Sequence, residues 1–421
     1  MCLHLQARGS HSRWLCGKDA RQWLLLSWLI ALDKGNNKVR PIAGGTAFVK
    51  LAATYLMETA DQTKYMFRES GVQCGVFMPD GATVARHAVQ MALEAHSDNV
   101  MVKVDFKNAF NSLSRYAMLA HLFRKPDLAP FYRLSHWIYG EESTLLVRDR
   151  RGGVVASIKS LQGVRQGCVL GSLLFASTTM DMLVDLKEQF GTLEVVAYLD
   201  DVFLVGKADQ CLQALDQLTR EARNMRLEVQ PEKCEVLVPS QLEPAAVEAL
   251  GKGLCLVRGA LPLLGSVVGV EAESVQHWVA NEIKSWRKVL PLLARKELSV
   301  QLSLLLARWT IVAKPNFLAR TLPPHFTQAC LEEFDQAVVE TVEHRTQLHF
   351  DEFSRAMLQL PIRLGGVGLC PSAETATPSS QTSQRQFQGL WASATWSSQE
   401  CGRFTRQSLL CKQHSKSCRP T

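Results

Sequence analysis

The sequence predicts a mixed α+β fold, strand-bearing over most of its length and helical towards its end. Three observations carry that expectation. From Trp23 to about Val268, β-prone apolar runs alternate with amphipathic stretches and Gly/Asn/Pro turns. From Ser274 to about Leu348, apolar residues recur at three- and four-residue spacing (Trp278, Val279, Ile283, Trp286, Val289, Leu290), the period of a helix with one buried face. Between Glu194 and Gly206, two short apolar runs flank an adjacent acid pair, as strands of a hairpin would flank its turn.

A chain of 421 residues exceeds one compact core, so two or three domains or subdomains are expected. Hydrophobic content of 47% with 21% charged residues excludes a wholly disordered, collagenous or coiled-coil chain. Lys and Arg number 47 against 40 Asp and Glu, and the resulting +7 permits a nucleic-acid partner without arguing for one. Twelve cysteines lack the dense, regular spacing of a secreted disulfide scaffold and read as reduced thiols of an intracellular protein. Cys411-x2-His414-x3-Cys418 has no close cysteine pair ahead of its histidine, so it does not read as a zinc site.

Residues 1 to about 20 carry little pattern. Trp23 to Leu32 is the strongest apolar run, but ten residues are half of what a membrane-spanning helix needs, and no membrane association is expected. A basic leader precedes it without a small-x-small cleavage site after it, which argues against a signal peptide. It runs into the polar turn Asp33-Lys34-Gly35-Asn36-Asn37 and reads as a buried strand or short helix. Pro323-Pro324 separates two helices of the later part, and a Gly-rich segment ends at Leu369. Beyond it, Ser, Thr and Gln supply 23 of the 51 residues from Pro371 to Thr421, with no long apolar face, so disorder is expected there. The expected organisation is a poorly defined segment 1–31, a strand-bearing part 32–270, a helical part 271–350, a Gly-rich closing segment 351–370 and a disordered tail 371–421.

Chemistry enters at Tyr198-Leu199-Asp200-Asp201. Neighbouring carboxylates amid apolar sequence repel each other and are costly to desolvate without a cation, although a solvated Asp-Asp turn has the same spelling. Val100 to Val104 reads as a buried strand ending in Asp105, which can lean towards the tip of a neighbouring hairpin. Three carboxylates from two adjacent strands can hold two Mg²⁺ ions roughly 3.5–4 Å apart for in-line phosphoryl transfer. The glycine-punctuated loop Gly163 to Gly171 leads into an apolar helix, an arrangement that lets backbone approach a phosphate or a nucleotide. Lys34 and Arg40 flank the turn before Pro41 and suit triphosphate oxygens, or else are solvated surface charges.

Taken in order, Lys34…Arg40-Pro41-Ile42, Asp105…Ala109-Phe110, Gln166-Gly167…Leu173-Leu174-Phe175, Tyr198-Leu199-Asp200-Asp201, Pro231-Glu232-Lys233-Cys234 and Leu263-Leu264-Gly265 resemble the successive blocks of reverse transcriptases. The phrases Asp105 to Ser112 and Leu360 to Leu369 resemble non-LTR, LINE-like retrotransposons, and Leu32-Asp33-Lys34…Arg40-Pro41-Ile42-Ala43 resembles the site-specific spliced-leader-associated (SLACS-type) elements. The resemblance implies a right-hand polymerase with fingers, a palm built on an antiparallel sheet and a helical thumb. It implies an RNA-directed DNA polymerase that uses two Mg²⁺ ions, an RNA template, a DNA primer or target and dNTPs, in the nucleus. Asp105 and Asp200 then match the main metal ligands, with Asp201 assisting. Phe110 matches the bulky residue that screens out a 2′-hydroxyl, or else is a core aromatic. Gln166 and Gly167 match the loop beneath the templating base pair, Lys233 the lysine near the leaving pyrophosphate, and Lys34 and Arg40 the contacts to the triphosphate.

Departures from the family pattern bear on activity. Val169 and Ser172 stand where the loop after Gln166 usually has prolines, and Leu199 stands where Ala is usual. The nuclease domain of SLACS-type elements needs clustered carboxylates, whereas the last Asp is Asp351 and the tail holds only Glu374 and Glu400. These features read as a truncated or frame-shifted element copy. Two other readings remain at this level: a catalytically dead relic that binds RNA–DNA duplex, and an intron maturase that shares the palm motifs. Oligomeric state is not legible.

Overall fold

The computed structural model describes residues 18–35, 38–149 and 151–395. It is mixed α+β, as expected, and divides into two compact units, each assembled from two stretches of chain: residues up to Thr63 with Asn108–Thr178, and Lys64–Lys107 with Thr179 onward. Along the chain the strands are β1 (Ser27–Gly35), β2 (Lys38–Gly44), β3 (Val100–Val104), β4 (Ser143–Arg148), β5 (Val154–Ser160), β6 (Glu194–Tyr198), β7 (Asp201–Gly206), β8 (Glu235–Val238), β9 (Cys255–Arg258), β10 (Ala260–Leu263) and β11 (Ser266–Gly269).

The first unit holds a four-stranded sheet in the order β2-β1-β4-β5. β1 and β2 form an antiparallel hairpin that pairs Leu32 with Arg40, and β1 runs parallel to β4 with Trp28 opposite Leu146. The apolar run Trp23 to Leu32 is divided between the end of a helix (Lys18–Leu25) and β1. It is a strand in part, yet it is not the buried one expected. Trp28, Ile30 and Leu32 alternate onto an open face, Ile30 being 53% exposed, while Ser27 and Leu25 are the buried members. The period-2 geometry of a strand sends alternate side chains to opposite faces, so an unbroken apolar run does not guarantee burial on both. The Arg148 guanidinium covers the Trp28 ring at 3.1 Å from its centroid.

The second unit is built on a five-stranded sheet in the order β6-β7-β3-β8-β9. β3 lies between β7 and β8, antiparallel to both, and Val100, Met101, Val102 and Val104 are all essentially inaccessible. That is why this segment is so continuously apolar: a central strand covered on both faces has no solvent side. One face carries the helix Gly81–Ala95, whose Val84, Ala85, Ala88 and Val89 pack with Met101, Val196, Phe203 and the β10–β11 hairpin. The helix Ala208–Asn224 also packs on β3 and β7 through Cys211, Ala214 and Leu218.

A helical layer follows, with Ala272–Arg287 and Pro324–Thr346 as its longest members before residue 350. Val279, Ile283, Leu331, Phe334 and Val338 form its core, and Pro324 occupies the first turn of its helix, where a missing N–H costs nothing. The Gly-rich segment folds back on the helix Glu352–Gln359 through Gly368 N–H to Leu360 O and Leu369 N–H to Leu358 O, with Gly365 and Gly368 at positive φ.

The expectation of disorder after Pro371 is overturned for residues 372–395, which form one helix, Ser372–Thr395. Its buried positions are Ser372, Ala373, Ala376, Ser380, Ser383 and Phe387, the last five spaced 3, 4, 3 and 4 residues apart. A seam of small side chains lets helices approach closely without a long apolar face, and a search for large hydrophobics passes over it. It packs against the helices Asn316–Thr321, Pro324–Thr346 and Gly81–Ala95. The Cys411–Cys418 spacing lies outside the described residues.

Candidate active site

β6 and β7 are joined by a two-residue turn, Leu199-Asp200, with Tyr198 paired to Asp201. β3 pairs with β7 through Val104 opposite Val202. Asp105, one residue past Val104, therefore stands level with Asp201, and the register brings three carboxylates to one end of the sheet. Leu199 has φ +60° at the first turn position, which in hairpins of this kind normally belongs to Gly. A γ-branched residue held there marks backbone strain at the acid pair.

Electrostatics match the geometry. Burial pushes the Asp201 carboxyl above the ordinary aspartate range, the Asp200 and Asp105 charges push it further, and Lys103 draws it back. Lys103, on β3 two residues before Asp105, is itself paired with Glu235 of β8 at 2.7 Å. Sequence reasoning missed Lys103; an alternating pattern within Val100–Asp105 puts it on the face of Asp105 and could have flagged it.

Lys233 belongs to the segment that wraps Asp105. Gln230 N–H donates to Asp105 O at 2.9 Å, and Asp105 N–H points to Cys234 Sγ at 3.4 Å. The turn Pro231–Lys233 lies between, and the exposed Lys233 ammonium donates to Gln230 Oε1 at 2.6 Å.

The other sequence-derived residues lie in the first unit. Phe110 stacks on Phe175, with ring centroids 4.8 Å apart and planes 16° from parallel, and is half-buried rather than sealed in a core. Val164 N–H donates to Phe110 O, which ties the helix Ala109–Ser112 to the glycine loop. Gly163, at φ +67°, passes so close to Asn111 that a Cβ would lie 2.2 Å from the Asn111 carbonyl oxygen. Gln166 O accepts from Ala43 N–H at 2.7 Å, and Gly167, at φ +99°, lies against Ile42 and Ala43. The structure thus joins Gln166, Gly167 and the β2 segment that carries the exposed Arg40. The Lys34 side chain lies outside the described residues. Arg165, 8% exposed, anchors the loop through Leu25 O and Ser27 Oγ, a role the sequence did not suggest.

Among the described residues, no group of three or more His, Cys, Asp or Glu side chains is placed so that it could hold a metal ion. Mg²⁺ does not require such a group, since it keeps several waters and is held through one or two carboxylates plus substrate phosphates. The donor set, all carboxylate oxygen and mutually repelling, fits a hard divalent cation of that kind.

A family model described as reverse transcriptase (RNA-dependent DNA polymerase) matches residues 32–265. The chain belongs to the reverse transcriptase family. This agrees with the resemblance drawn from the motifs, and the matched stretch holds all nine residues singled out above. Similarity to retrotransposons also holds: the retrotransposable element SLACS 132 kDa protein of Trypanosoma brucei gambiense is 26% identical over 364 residues, covering 83% of this chain. The chain spans 28% of that relative's length. Among solved structures, apo telomerase from Candida tropicalis aligns with a TM-score of 0.45 at 11% identity, over 90% of this chain and 68% of that one. Telomerase from Candida albicans with a TWJ fragment of telomeric RNA aligns with a TM-score of 0.42 at 12% identity, over 90% of this chain and 64% of that one. Among the described residues, no helix of this reverse transcriptase family member is long and apolar enough to cross a membrane.

Proposed function

We propose that the chain is an RNA-directed DNA polymerase of a retrotransposon, which adds deoxynucleotides to a primer 3′-hydroxyl on an RNA template in the nucleus. The observation that carries this reading is the β3–β7 register, which sets Asp105 beside the Asp200–Asp201 turn in a chain of this family. In this proposal, residues 32–270 supply fingers and palm and 271–350 the thumb. Primer extension with an RNA template, dNTPs and Mg²⁺ is the test: no incorporation, with duplex still bound, leaves the relic as the reading.

Asp105 and Asp200 would hold the divalent ions, with Asp201 assisting as a third carboxylate. The ions, when bound, activate the attacking hydroxyl and neutralise charge at the transferring phosphorus. Asp105, Asp200 and Asp201 fix that position on a rigid sheet, so little reorganisation accompanies the reaction. Lys233 would set a cation or proton donor near the departing pyrophosphate, and Lys34 and Arg40 would bind triphosphate oxygens. Gln166 and Gly167 would support the templating base pair, and Phe110 would close the space that a 2′-hydroxyl needs.

Two outcomes follow from this site. Phe110→Val opens the space while leaving Phe175 in place, and ribonucleotide incorporation rises by about 10- to 100-fold, the range for shape discrimination in a pocket; competition of rNTP against dNTP in single-nucleotide extension measures it. The second outcome concerns stability. Because the folded state raises the Asp201 pKa, the associated stability is present below the ordinary aspartate value and is lost as pH rises through the raised one. At neutral pH without metal, the ionised cluster therefore costs stability. Asp201→Asn raises the melting temperature in EDTA, and Mg²⁺ stabilises wild type more than the variant. A scanning-fluorimetry series with and without Mg²⁺ reads both, and an Asn variant that melts lower in EDTA contradicts the cluster electrostatics.

A further inference from the structure

Gln73 lies outside every motif described above, yet it is bonded to the turn that carries the acid pair. Its side chain is 1% exposed. Its Oε1 accepts two backbone N–H groups, Leu199 at 2.8 Å and Gly75 at 2.9 Å. Two converging donors require an acceptor, which fixes the amide orientation with oxygen towards the turn. The Nε2 group is buried and has no hydrogen-bond partner among the described residues. The hydrogen bonds that hold this buried amide are therefore the two at Oε1, from the backbone of Leu199 and Gly75.

The surrounding backbone extends the same device. Cys74 N–H donates to Ala197 O and Ala197 N–H to Val72 O, both at 2.7 Å, so residues 72–74 bridge in parallel to the free edge of β6. Gly75 lies against Leu199 so tightly that a Cβ would come within 2.7 Å of its nitrogen and its Cγ. Leu199 in turn has φ +60°, a conformation that side-chain-bearing residues adopt only when held.

We propose that Gln73 is a positioning residue of the polymerase centre, a clamp that holds Leu199 in its left-handed conformation and so aims Asp200 and Asp201. The proposal rests on the polymerase reading for its kinetic consequence, but the clamp itself can be tested without any activity. Gly75 completes it by leaving room for the Leu199 side chain, which accommodates leucine at this turn.

The test compares three full-length variants with wild type. Gln73→Met keeps the length of the side chain and removes the acceptor. Gln73→Glu keeps an acceptor. Gln73→Met with Leu199→Gly removes the clamp but gives the turn a residue that adopts positive φ unaided. Amide hydrogen exchange, read without metal or substrate, is expected to speed up at Leu199 by tenfold or more in Gln73→Met, with β3 amides unchanged. In primer extension, kcat is expected to fall about 10- to 100-fold, as for loss of a group that orients a metal ligand, with KM for dNTP held within about twofold. Adding Leu199→Gly is expected to restore part of kcat. Gln73→Glu is expected to keep Leu199 protected, and it decides the question if Gln73→Met does not fold. Wild-type exchange at Leu199 in Gln73→Met, or a kcat loss that Leu199→Gly leaves untouched, overturns the clamp. A wild-type chain that extends no primer ends the polymerase reading, while the exchange measurement still decides the clamp.

Discussion

If the chain is the proposed polymerase, primer extension is expected to fall by at least about 10²- to 10³-fold when Asp200 is replaced by Asn, the range for deleting one preorganised charge at a reacting centre. The substitution keeps the shape of the side chain and removes only its charge. The Asp200 charge is one of the groups that raise the Asp201 carboxyl, second after burial. Its removal relieves repulsion within the cluster, so the variant is expected to be at least as stable as wild type without metal, and a loss of activity cannot be put down to unfolding. KM for dNTP changes less than kcat, because the lost interaction is stronger in the transition state than in the ground state. Asp216→Asn serves as the control: it removes an exposed carboxylate from the helix Ala208–Asn224, where its partner is Arg220 at 3.0 Å. Retention of full rate by Asp200→Asn, measured by single-turnover extension beside that control, removes Asp200 from the proposed metal site.

The acid pair was legible because its sequence context is local. Two β-prone runs around a short polar turn specify a hairpin, and its tip needs no knowledge of the rest of the chain. Asp105 was legible for the same reason, at the end of an apolar run. What the sequence could not supply was strand order: β3 lies between β7 and β8, about one hundred residues later, and nothing in Val100–Val104 names those neighbours. Gln73 was invisible on its own terms, since Val72-Gln73-Cys74-Gly75 reads as an ordinary turn, and its importance arises only from contact with Leu199. The open face of β1 shows a different limit. Hydrophobicity marks Trp28, Ile30 and Leu32 as strand residues without saying whether anything covers them. The helix after Pro371 was lost to composition, because Ser and Ala in its buried seam count as polar or small in any average over the tail.

That helix makes the other large effect measurable. Phe387→Ala is expected to cost about 3 kcal/mol of stability, the lower end for deleting a buried phenylalanine ring. Phe387 is 7% exposed, belongs to the same buried cluster as Val84, Ala88, Met101, Val196 and Phe203, and sits on a helix that packs against the helix Gly81–Ala95. Its ring lies 5.4 Å from that of His87, whose Nε2 is bonded to Ser383 Oγ at 3.1 Å. At the start of the helix, Asp335 accepts from Ala373 N–H at 2.9 Å, so the helix is held at both ends of its seam. Burial, and after it the charge of Arg86, pushes the His87 pKa down to about 4. The unfolded chain takes up that proton near the ordinary value of about 6.5, so stability present above that pH is lost as pH falls from there towards 4. Opening the Phe387 site hydrates His87 and weakens this dependence, so Phe387→Ala is expected to lose less stability on acidification than wild type. Urea unfolding at neutral and mildly acid pH reads both effects, with Gln384→Ala on the exposed side of the same helix expected within about 0.5 kcal/mol of wild type. A Phe387→Ala chain as stable as the Gln384→Ala chain would mean that the helix does not close this core.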